Sequence, residues 1–161
     1  MAERAGKNIG IVGGGIGGIA AAVALHRIGV DVSVYERAEE LREVGAGMML
    51  WPNATRVLRE LGLLEPVMAR SGGNTHFLVR KSTGKILMSI ALGQFEVPAV
   101  CMRRADLLSI LLGAFPNECL HLGCELERFT QLDGNVRLYF KDGQEAEHDA
   151  VIGADGIRSR I

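Results

Sequence analysis

The sequence predicts an α/β fold, and three observations support this prediction. A short apolar strand over 8–12 leads directly into a glycine-rich turn, and a helix follows over about 15–28 with apolar side chains at helical spacing. Gly29 ends that helix, and a second apolar strand over 30–35 follows at once. Strands that are apolar on both faces and separated by a helix are typical of a parallel sheet covered on both sides.

The glycine-rich turn matches the G-x-G-x-x-G pattern at Gly13, Gly15 and Gly18. Gly13 allows the sharp turn out of the strand, Gly15 removes a side chain that would keep a pyrophosphate from the backbone, and Gly18 lets the helix lie close to the sheet. The helix N-terminus offers unpaired N–H groups and a partial positive charge to that pyrophosphate. The pattern therefore predicts a Rossmann-like dinucleotide site, with an ordinary glycine-rich loop as the alternative.

Glu36 closes the second strand, close to the spacing of about 20 residues expected for an acid that binds the adenosine ribose. A carboxylate there accepts hydrogen bonds from the ribose hydroxyls and repels a 2′-phosphate, which disfavours NADP at this site. The alternative is a solvated acid at a strand end. The combination of strand, turn, helix and acid favours the ribose site.

Composition narrows the function classes. Of the 161 residues, 48% are hydrophobic, and the formal net charge is −1, so the chain has neither the composition of a disordered protein nor the basic surface that binds nucleic acid.

The three cysteines have no framework spacing, which favours free thiols in a reducing compartment. No stretch is long and apolar enough to span a bilayer, so we expect a soluble cytoplasmic protein. Cys119, His121 and Cys124 lack the spacing of zinc ligand pairs, and no metal is expected.

The middle of the chain departs from this alternation of strand and helix. A second glycine cluster over 44–50 predicts either another close approach of the backbone to a ligand or a tight turn into a strand. Asn53 is expected to be the N-cap of the next helix. Strands over 75–80 and 85–90 predict a hairpin, and 95–102 a third strand. Such an antiparallel patch predicts a separate sheet, the start of a second domain.

The last third of the chain predicts a second antiparallel element. Arg103 precedes a leucine-rich helix, and three strands separated by Asp-Gly pairs then predict a meander, over 125–131, 136–140 and 144–148. One more apolar strand is predicted over 149–153, and Asp155 and Gly156 follow it. Taken alone, an arginine before a helix is usually a solvated charge, and an Asp-Gly pair is usually a turn.

Three motifs in order, together with Arg103, resemble the class A flavoprotein monooxygenases, the aromatic-hydroxylase type related to salicylate and hydroxybenzoate hydroxylases. The motifs are 13–18 with Glu36-Arg37, then 45–47 with Pro52-Asn53, then 149–156 with Arg158-Ser159. The first motif is shared by many FAD and NAD proteins, whereas the second and third are more specific to this family. The resemblance covers essentially the whole chain.

The resemblance implies an FAD-binding fold in which matching residues have roles. The glycines of the turn would contact the FAD pyrophosphate: Gly13, Gly14 and Gly15. Glu36 would hold the adenosine ribose, Arg37 would lie by the adenine end, and Leu126 would offer backbone contacts near the adenine. The remaining residues would serve the other end of FAD. Ala46 and Gly47 would approach the ribityl or isoalloxazine group, and Arg103 would anchor FAD from across the cleft. FAD and the incoming NAD(P)H would both pass two further residues, Asp155 and Gly156.

The resemblance also implies an NAD(P)H-dependent enzyme that hydroxylates an aromatic or related small molecule with O₂, through a flavin C4a-hydroperoxide. Family members are longer than this chain, so we expect a piece of a longer enzyme with its catalytic residues elsewhere. We expect an FAD-binding domain over 1–71 and 103–161, incomplete at its C-terminus and with the meander inserted, and part of a substrate-domain sheet over 72–102. The alternatives are another FAD oxidoreductase (a halogenase, epoxidase or dehydrogenase) and a non-catalytic nucleotide-binding module.

Overall fold

The computed structural model describes residues 6–41, 46–157 and 159–161. Its helices and strands alternate in the first part of the chain, as the sequence predicts, and strands dominate the rest. In chain order the elements are β1 (Asn8–Val12), α1 (Ile16–Arg27), β2 (Asp31–Tyr35), β3 (Gly47–Leu50), α2 (Pro52–Glu60), α3 (Leu64–Ala69), β4 (Gly72–Asn74), β5 (His76–Arg80), β6 (Ile86–Ala91), β7 (Ala99–Arg103), α4 (Arg104–Leu112), β8 (Leu120–His121), β9 (Leu126–Gln131), β10 (Val136–Phe140), β11 (Glu145–His148) and β12 (Ala150–Gly153).

The described residues form two compact units, one containing residues up to 41 and from 111 onward, the other residues 46–110. None of the described helices is long and apolar enough to cross a membrane. The predicted division into an FAD-binding domain and a substrate-domain sheet stays a prediction.

A parallel sheet organises the first unit. Its strand order is β12-β1-β2-β8, and all three pairings are parallel. Strand β1 lies at the centre because it is apolar, and Ile11 is completely buried. One face is covered by α1, whose Ile19 and Val23 are also buried. The register aligns Val12 with both Tyr35 and Gly153, so the carboxyl ends of the three strands meet at one edge.

A second sheet of the first unit is antiparallel, in the order β11-β10-β9. Its apolar side chains and those at the ends of β1 and β2 form one buried cluster that contains Val12, Tyr35, Cys124, Leu126, Leu138 and Phe140. Side chains alternate along a strand, so Tyr139, which lies between the buried Leu138 and Phe140 in β10, is less buried than they are. The cluster fixes the start of β9 beside the ends of the parallel strands.

The second unit contains a three-stranded antiparallel sheet, β3-β7-β4, and the separate hairpin β5–β6. The hairpin lies where the sequence predicts it. The predicted strand over 95–102 is wrong at its start, because a 3₁₀ turn at Leu92–Gln94 precedes a shorter strand, Ala99–Arg103. That strand pairs with β3 and β4 and not with the hairpin, so the predicted patch is divided between two sheets.

The expected N-cap of α2 is also wrong. The helix starts at Pro52, and Trp51 is the N-cap with no side-chain hydrogen bond. Proline is favoured at the first helical position because its missing N–H has no partner there in any case. Within the helix the fully buried Thr55 donates its hydroxyl to the carbonyl oxygen of Pro98 at 2.8 Å, which ties α2 to the segment before β7.

Candidate functional site

The first unit has a groove at the carboxyl edge of its parallel sheet. Its volume is about 410 Å³. It is lined by the ends of β1 and β2, the start of β9 and the segment after β12, namely Val12, Gly13, Gly15, Tyr35, Glu36, Arg37, Cys124, Glu125, Leu126, Ala154, Asp155, Gly156 and Arg160. Crevices at this edge of open α/β sheets are where ligands bind.

The glycines of the turn differ in what a side chain would meet. Gly13 has a φ of +112°, a conformation that side chains disfavour, and its added Cβ would collide with the carbonyl group of Ala154. A Cβ on Gly18 would collide with the carbonyl oxygen of Gly13, so a glycine is needed for α1 to pack this closely. A Cβ on Gly15 would meet nothing within 4 Å, because it would lie in open space at the groove.

The N-terminus of α1 is available to an anion. Gly15 is the N-cap, no side chain caps the helix, and no acidic residue lies in its first turn. The Gly13 N–H is already bonded to the carbonyl oxygen of Tyr35 at 2.8 Å, which holds the turn against β2. The first turn of α1 therefore presents its backbone N–H groups and the positive end of the helix dipole beside an open groove.

Glu36 lies in the groove with both carboxylate oxygens in use. Oε2 accepts a hydrogen bond from the Gly14 N–H at 2.6 Å, and Oε1 accepts one from the Ala38 N–H at 2.9 Å. The Glu36 backbone is held by the end of β8 and the segment after it, since its N–H donates to the His121 carbonyl and its carbonyl accepts from the Cys124 N–H, both at 2.9 Å. A carboxylate has about four acceptor positions, so this fixed group can still accept hydroxyl donors.

Asp155 has one satisfied and one unsatisfied oxygen. Oδ2 accepts a hydrogen bond from the Arg160 N–H at 2.6 Å, whereas Oδ1 is buried and has no hydrogen-bond partner among the described residues. Burial by itself raises the pKa of Asp155, but the Arg160 N–H, the nearby Ser159 hydroxyl and the positive charge of Arg37 hold that pKa below its ordinary value. A buried acceptor without a partner indicates a place where a donor from a ligand would fit.

Sequence patterns assign no ligand role to six of the groove residues, which are Val12, Tyr35, Cys124, Glu125, Ala154 and Arg160. Cys124 and Glu125 have no distinguishing pattern, and Tyr35 reads only as the last apolar residue of a strand. Arg160 follows the third motif directly and could have been noticed as a basic residue there. Its Nη1 donates to the carbonyl oxygens of Leu126 at 3.2 Å and of Glu127 at 3.4 Å, so it joins the segment after β12 to β9.

The other predicted residues meet in the second unit. The pairing of β3 with β7 aligns Gly47 with Arg103, and the Arg104 N–H donates to the Ala46 carbonyl at 3.0 Å. A cavity of about 930 Å³ lies here, lined by Gly47, Met48, Met49, Arg70, Cys101, Met102, Arg103 and Asp106. Gly45 of the second motif and Arg158 of the third lie outside the described residues.

The Arg103 side chain, which is 74% exposed, is oriented by a bidentate ion pair with Asp106. Nε donates to Oδ2 at 2.7 Å and Nη2 to Oδ1 at 2.8 Å. These hydrogen bonds lower the pKa of Asp106 from its ordinary value. The planar guanidinium is thus held at the edge of the cavity.

The described residues contain no group of three or more His, Cys, Asp or Glu that could hold a metal ion. Cys101, Cys119 and Cys124 are free thiols. Burial raises the pKa of Cys124, with a further contribution from the negative charge of Asp142, so the thiol in the groove stays protonated at neutral pH.

Known proteins resemble this chain over nearly its whole length. The 6-hydroxynicotinate 3-monooxygenase of Bordetella bronchiseptica is 33% identical over 160 residues, which are 95% of this chain and 42% of that protein. The 3-amino-4-hydroxybenzoate 2-monooxygenase of Streptomyces cremeus is 37% identical over 160 residues, 95% of this chain and 40% of that protein. The chain therefore spans about two fifths of the length of these relatives.

Solved structures also resemble this chain. HpxO of Klebsiella pneumoniae, complexed with FAD and uric acid, has a TM-score of 0.77 and 28% identity, covering 95% of this chain and 40% of that one. The tetrameric form of 2-methyl-3-hydroxypyridine-5-carboxylic acid oxygenase has a TM-score of 0.82 and 29% identity, covering 98% and 41%. The family model described as "FAD binding domain" matches residues 7–161. The chain therefore belongs to the FAD binding domain family, and its relatives are FAD-dependent monooxygenases, as the three motifs predict.

Proposed function

We propose that this chain is the FAD-binding portion of an NAD(P)H-dependent flavoprotein monooxygenase that hydroxylates an aromatic or related small molecule. The observation that carries the proposal is the groove, which places the open Gly15, the uncapped N-terminus of α1 and the fixed Glu36 carboxylate side by side. The relatives are named for oxidation of hydroxynicotinate and amino-hydroxybenzoate, which supports an aromatic substrate.

The groove residues fit the adenosine diphosphate half of FAD. Gly13, Gly14 and Gly15 would form the turn against which the pyrophosphate lies at the N-terminus of α1, because Gly15 leaves open space there and no side chain caps the helix. Gly18 contributes by allowing α1 to pack against the turn and would not itself touch the ligand. Glu36 would accept hydrogen bonds from the ribose hydroxyls.

The residues at the rim of the groove fit two roles. Two of them would lie beside the adenine, and two would lie where FAD and NAD(P)H pass. Arg37 and Leu126 line the same groove as Glu36, and the adenine would lie against them. Gly156 has a φ of +85° and turns the chain just after Asp155, whose buried Oδ1 lacks a donor. A hydroxyl of FAD or of the incoming NAD(P)H would supply that donor, which supports placing both molecules past these two residues.

In the second unit, Ala46, Gly47 and Arg103 would serve the ribityl and isoalloxazine end of FAD. Their proximity in the β3–β7 pairing and the cavity beside Arg103 support this assignment. The hairpin β5–β6 would belong to the substrate-domain sheet over 72–102, and 1–71 with 103–161 would form the FAD-binding domain with the antiparallel sheet β11-β10-β9 inserted. The bound flavin would supply the redox chemistry with NAD(P)H and O₂, and the residues of this chain would bind and orient it.

The proposal is tested by loading the full-length protein with FAD and following NAD(P)H consumption while aromatic acids are added. We expect bound-flavin absorbance and faster consumption with at least one hydroxylated aromatic or heteroaromatic acid. A protein that cannot be loaded with FAD would refute the proposal. A loaded protein that never responds to an aromatic substrate would favour the other FAD oxidoreductases.

Glu36→Ala tests the ribose assignment in the same protein. Loss of a charged hydrogen-bond acceptor costs about 1–3 kcal/mol, which raises the FAD dissociation constant about 5-fold to 150-fold. Glu39→Ala is the matched control, because Glu39 is an exposed carboxylate three residues further along the same segment and does not line the groove. Equal FAD affinity in both variants would show that the ribose does not lie at Glu36.

A further inference from the structure

The cavity of the second unit is lined by a second arginine besides Arg103. Arg70 lines it together with Arg103 and Asp106. The Asp106 side chain, which is 18% exposed, already gives both carboxylate oxygens to Arg103. Arg70 has no side-chain hydrogen bond or ion pair within the part of the chain that the structure describes. Among the described lining residues its positive charge is therefore the one left without a partner.

The backbone places Arg70 beside the other two charged residues. Arg70 is the C-cap of α3, and two residues later Gly72 pairs with Cys101 in antiparallel register. Continuing that register brings residue 70 level with Arg103. The pKa of Asp106 is lowered by the hydrogen bonds from Arg103 and further by the charge of Arg70, although burial opposes both. The guanidinium of Arg70 therefore lies close enough to that carboxylate to act on it.

One face of the sheet β3-β7-β4 is open beside these charges. Because side chains alternate along a strand, Gly47 and Met49 of β3 share this face with Cys101 and Arg103 of β7, and all four residues line the cavity. Gly72 of β4 lies next to Cys101 on the same face. A Cβ on Gly47 or on Gly72 would meet nothing within 4 Å. This open face therefore leaves bare backbone on both sides of β7, against which a planar group can lie.

Sulfur-containing residues dominate the rest of the lining. Met48, Met49 and Met102 carry thioethers, and Cys101 is a free thiol. The Cys101 sulfur accepts a hydrogen bond from Nδ2 of Asn74 at 3.1 Å. Thioethers make favourable contacts with aromatic rings. The cavity thus offers sulfur and bare backbone to a ring, and one unpaired guanidinium to an anion.

We infer that Arg70 is a substrate-binding residue that takes the carboxylate of an aromatic acid whose ring lies against the open face. The inference rests on the proposed function, because it names the substrate class of that same enzyme. A guanidinium matches a carboxylate in shape and binds it through two parallel hydrogen bonds. The cavity volume of about 930 Å³ is near the upper end of the range for small-molecule sites, so it has room for a flavin ring and a small aromatic acid together.

The charges favour a carboxylate over the other anions of the reaction. The diphosphate of FAD belongs, under the proposed function, to the groove of the first unit, so FAD leaves Arg70 without a charged partner. A nucleotide diphosphate carries two negative charges, whereas the described lining has one unpaired positive charge. Asp106 also lies in the first turn of α4, where its carboxylate repels a phosphate that would approach the helix N-terminus.

The experiment compares aromatic acids with their amides in the FAD-loaded full-length protein. Hydroxybenzoates and hydroxypyridinecarboxylates are each paired with the corresponding carboxamide, and binding is followed by the change in flavin absorbance. At least one acid should bind about 10-fold to 150-fold more tightly than its amide, which is the effect of a hydrogen bond to a charged group. In Arg70→Ala that ratio should fall below about threefold, through weaker binding of the acid and little change for the amide.

Two further variants separate charge from position. Arg70→Lys keeps the positive charge but cannot form two parallel hydrogen bonds, so it should keep part of the preference for the acid. Arg56→Ala is the matched control and should keep all of it, because Arg56 is exposed on α2 and does not line the cavity. Melting temperature and FAD affinity should change little in all three variants, since the two arginines are exposed.

An unsubstituted protein that binds no acid more tightly than its amide would overturn the inference alone, and this result needs no variant. A preference for the acid that persists in Arg70→Ala would overturn it as well. A raised KM for NAD(P)H or a lost affinity for FAD in Arg70→Ala, with acid binding unchanged, would assign the guanidinium to the nucleotide or to the flavin instead. A protein that cannot be loaded with FAD would refute the proposed function and this inference with it.

Discussion

Gly15→Ala should separate FAD binding from folding. The added Cβ would meet nothing within 4 Å, and the backbone at Gly15, with φ −73° and ψ −179°, is open to any residue. The stability change should stay within about 1 kcal/mol, because alanine lowers the entropy of the unfolded chain but is a poorer N-cap. The new methyl group would lie in the groove where the pyrophosphate must approach the backbone.

The loss of affinity follows from that overlap. Forcing an extra carbon into an occupied contact costs about 1–3 kcal/mol, and the FAD dissociation constant should rise about 5-fold to 150-fold. Gly18→Ala is the contrasting variant. Its Cβ would collide with the carbonyl oxygen of Gly13, a backbone atom that can move only if α1 shifts. We expect about 1–3 kcal/mol of destabilisation, with melting temperature falling about 2–4 °C per kcal/mol.

The assay pairs thermal unfolding of the FAD-free protein with titration by FAD. Gly15→Ala should unfold near the temperature of the unsubstituted protein and bind poorly, whereas Gly18→Ala should unfold earlier. If Gly15→Ala bound FAD with undiminished affinity, the pyrophosphate would not lie against this turn. If both variants lost the same stability, the space beside Gly15 would not be open.

Three further predictions concern single interactions. Thr55→Val keeps the shape but leaves the Pro98 carbonyl without its buried donor, so urea denaturation should show a loss of about 1–3 kcal/mol, and an unchanged midpoint would contradict the hydrogen bond. Asp106→Asn should change the melting temperature little, since its partner Arg103 is 74% exposed, but weaken FAD binding because Arg103 is no longer held; equal affinity would show that its orientation is irrelevant. The buried neutral His148 stabilises the fold above its ordinary pKa of about 6.5, and that contribution is lost as the pH falls below it, because the unfolded chain then binds the proton more readily. Melting temperatures from pH 7.5 to 5, about the range where histidine titrates, should fall less steeply for His148→Gln than for the unsubstituted protein.

Local patterns in the sequence were enough for the first part of the fold. Strand β1 and its turn were predicted from an apolar run followed by glycines, because both depend on neighbouring residues alone. The hairpin β5–β6 was predicted for the same reason. The strand before Arg103 was predicted too long, and its partner was wrong, because pairing depends on residues distant in the chain. Asn53 was misplaced as a cap because a preceding proline already starts the helix.

The sequence by itself determined that a glycine turn, a helix N-terminus and an acid follow one another in the order of a dinucleotide site. Binding of a dinucleotide at such a site depends on residue type and spacing, which the sequence contains. Only the tertiary structure decided that Glu36 is already bonded to the turn, that Oδ1 of Asp155 is left without a donor, and that His148 lies under Gly10 against Tyr35. Those contacts join segments more than twenty or more than one hundred residues apart, as the pairs Gly14–Glu36 and Tyr35–His148 show. Local propensity contains no information about which of many polar side chains the packing of two sheets will bury together.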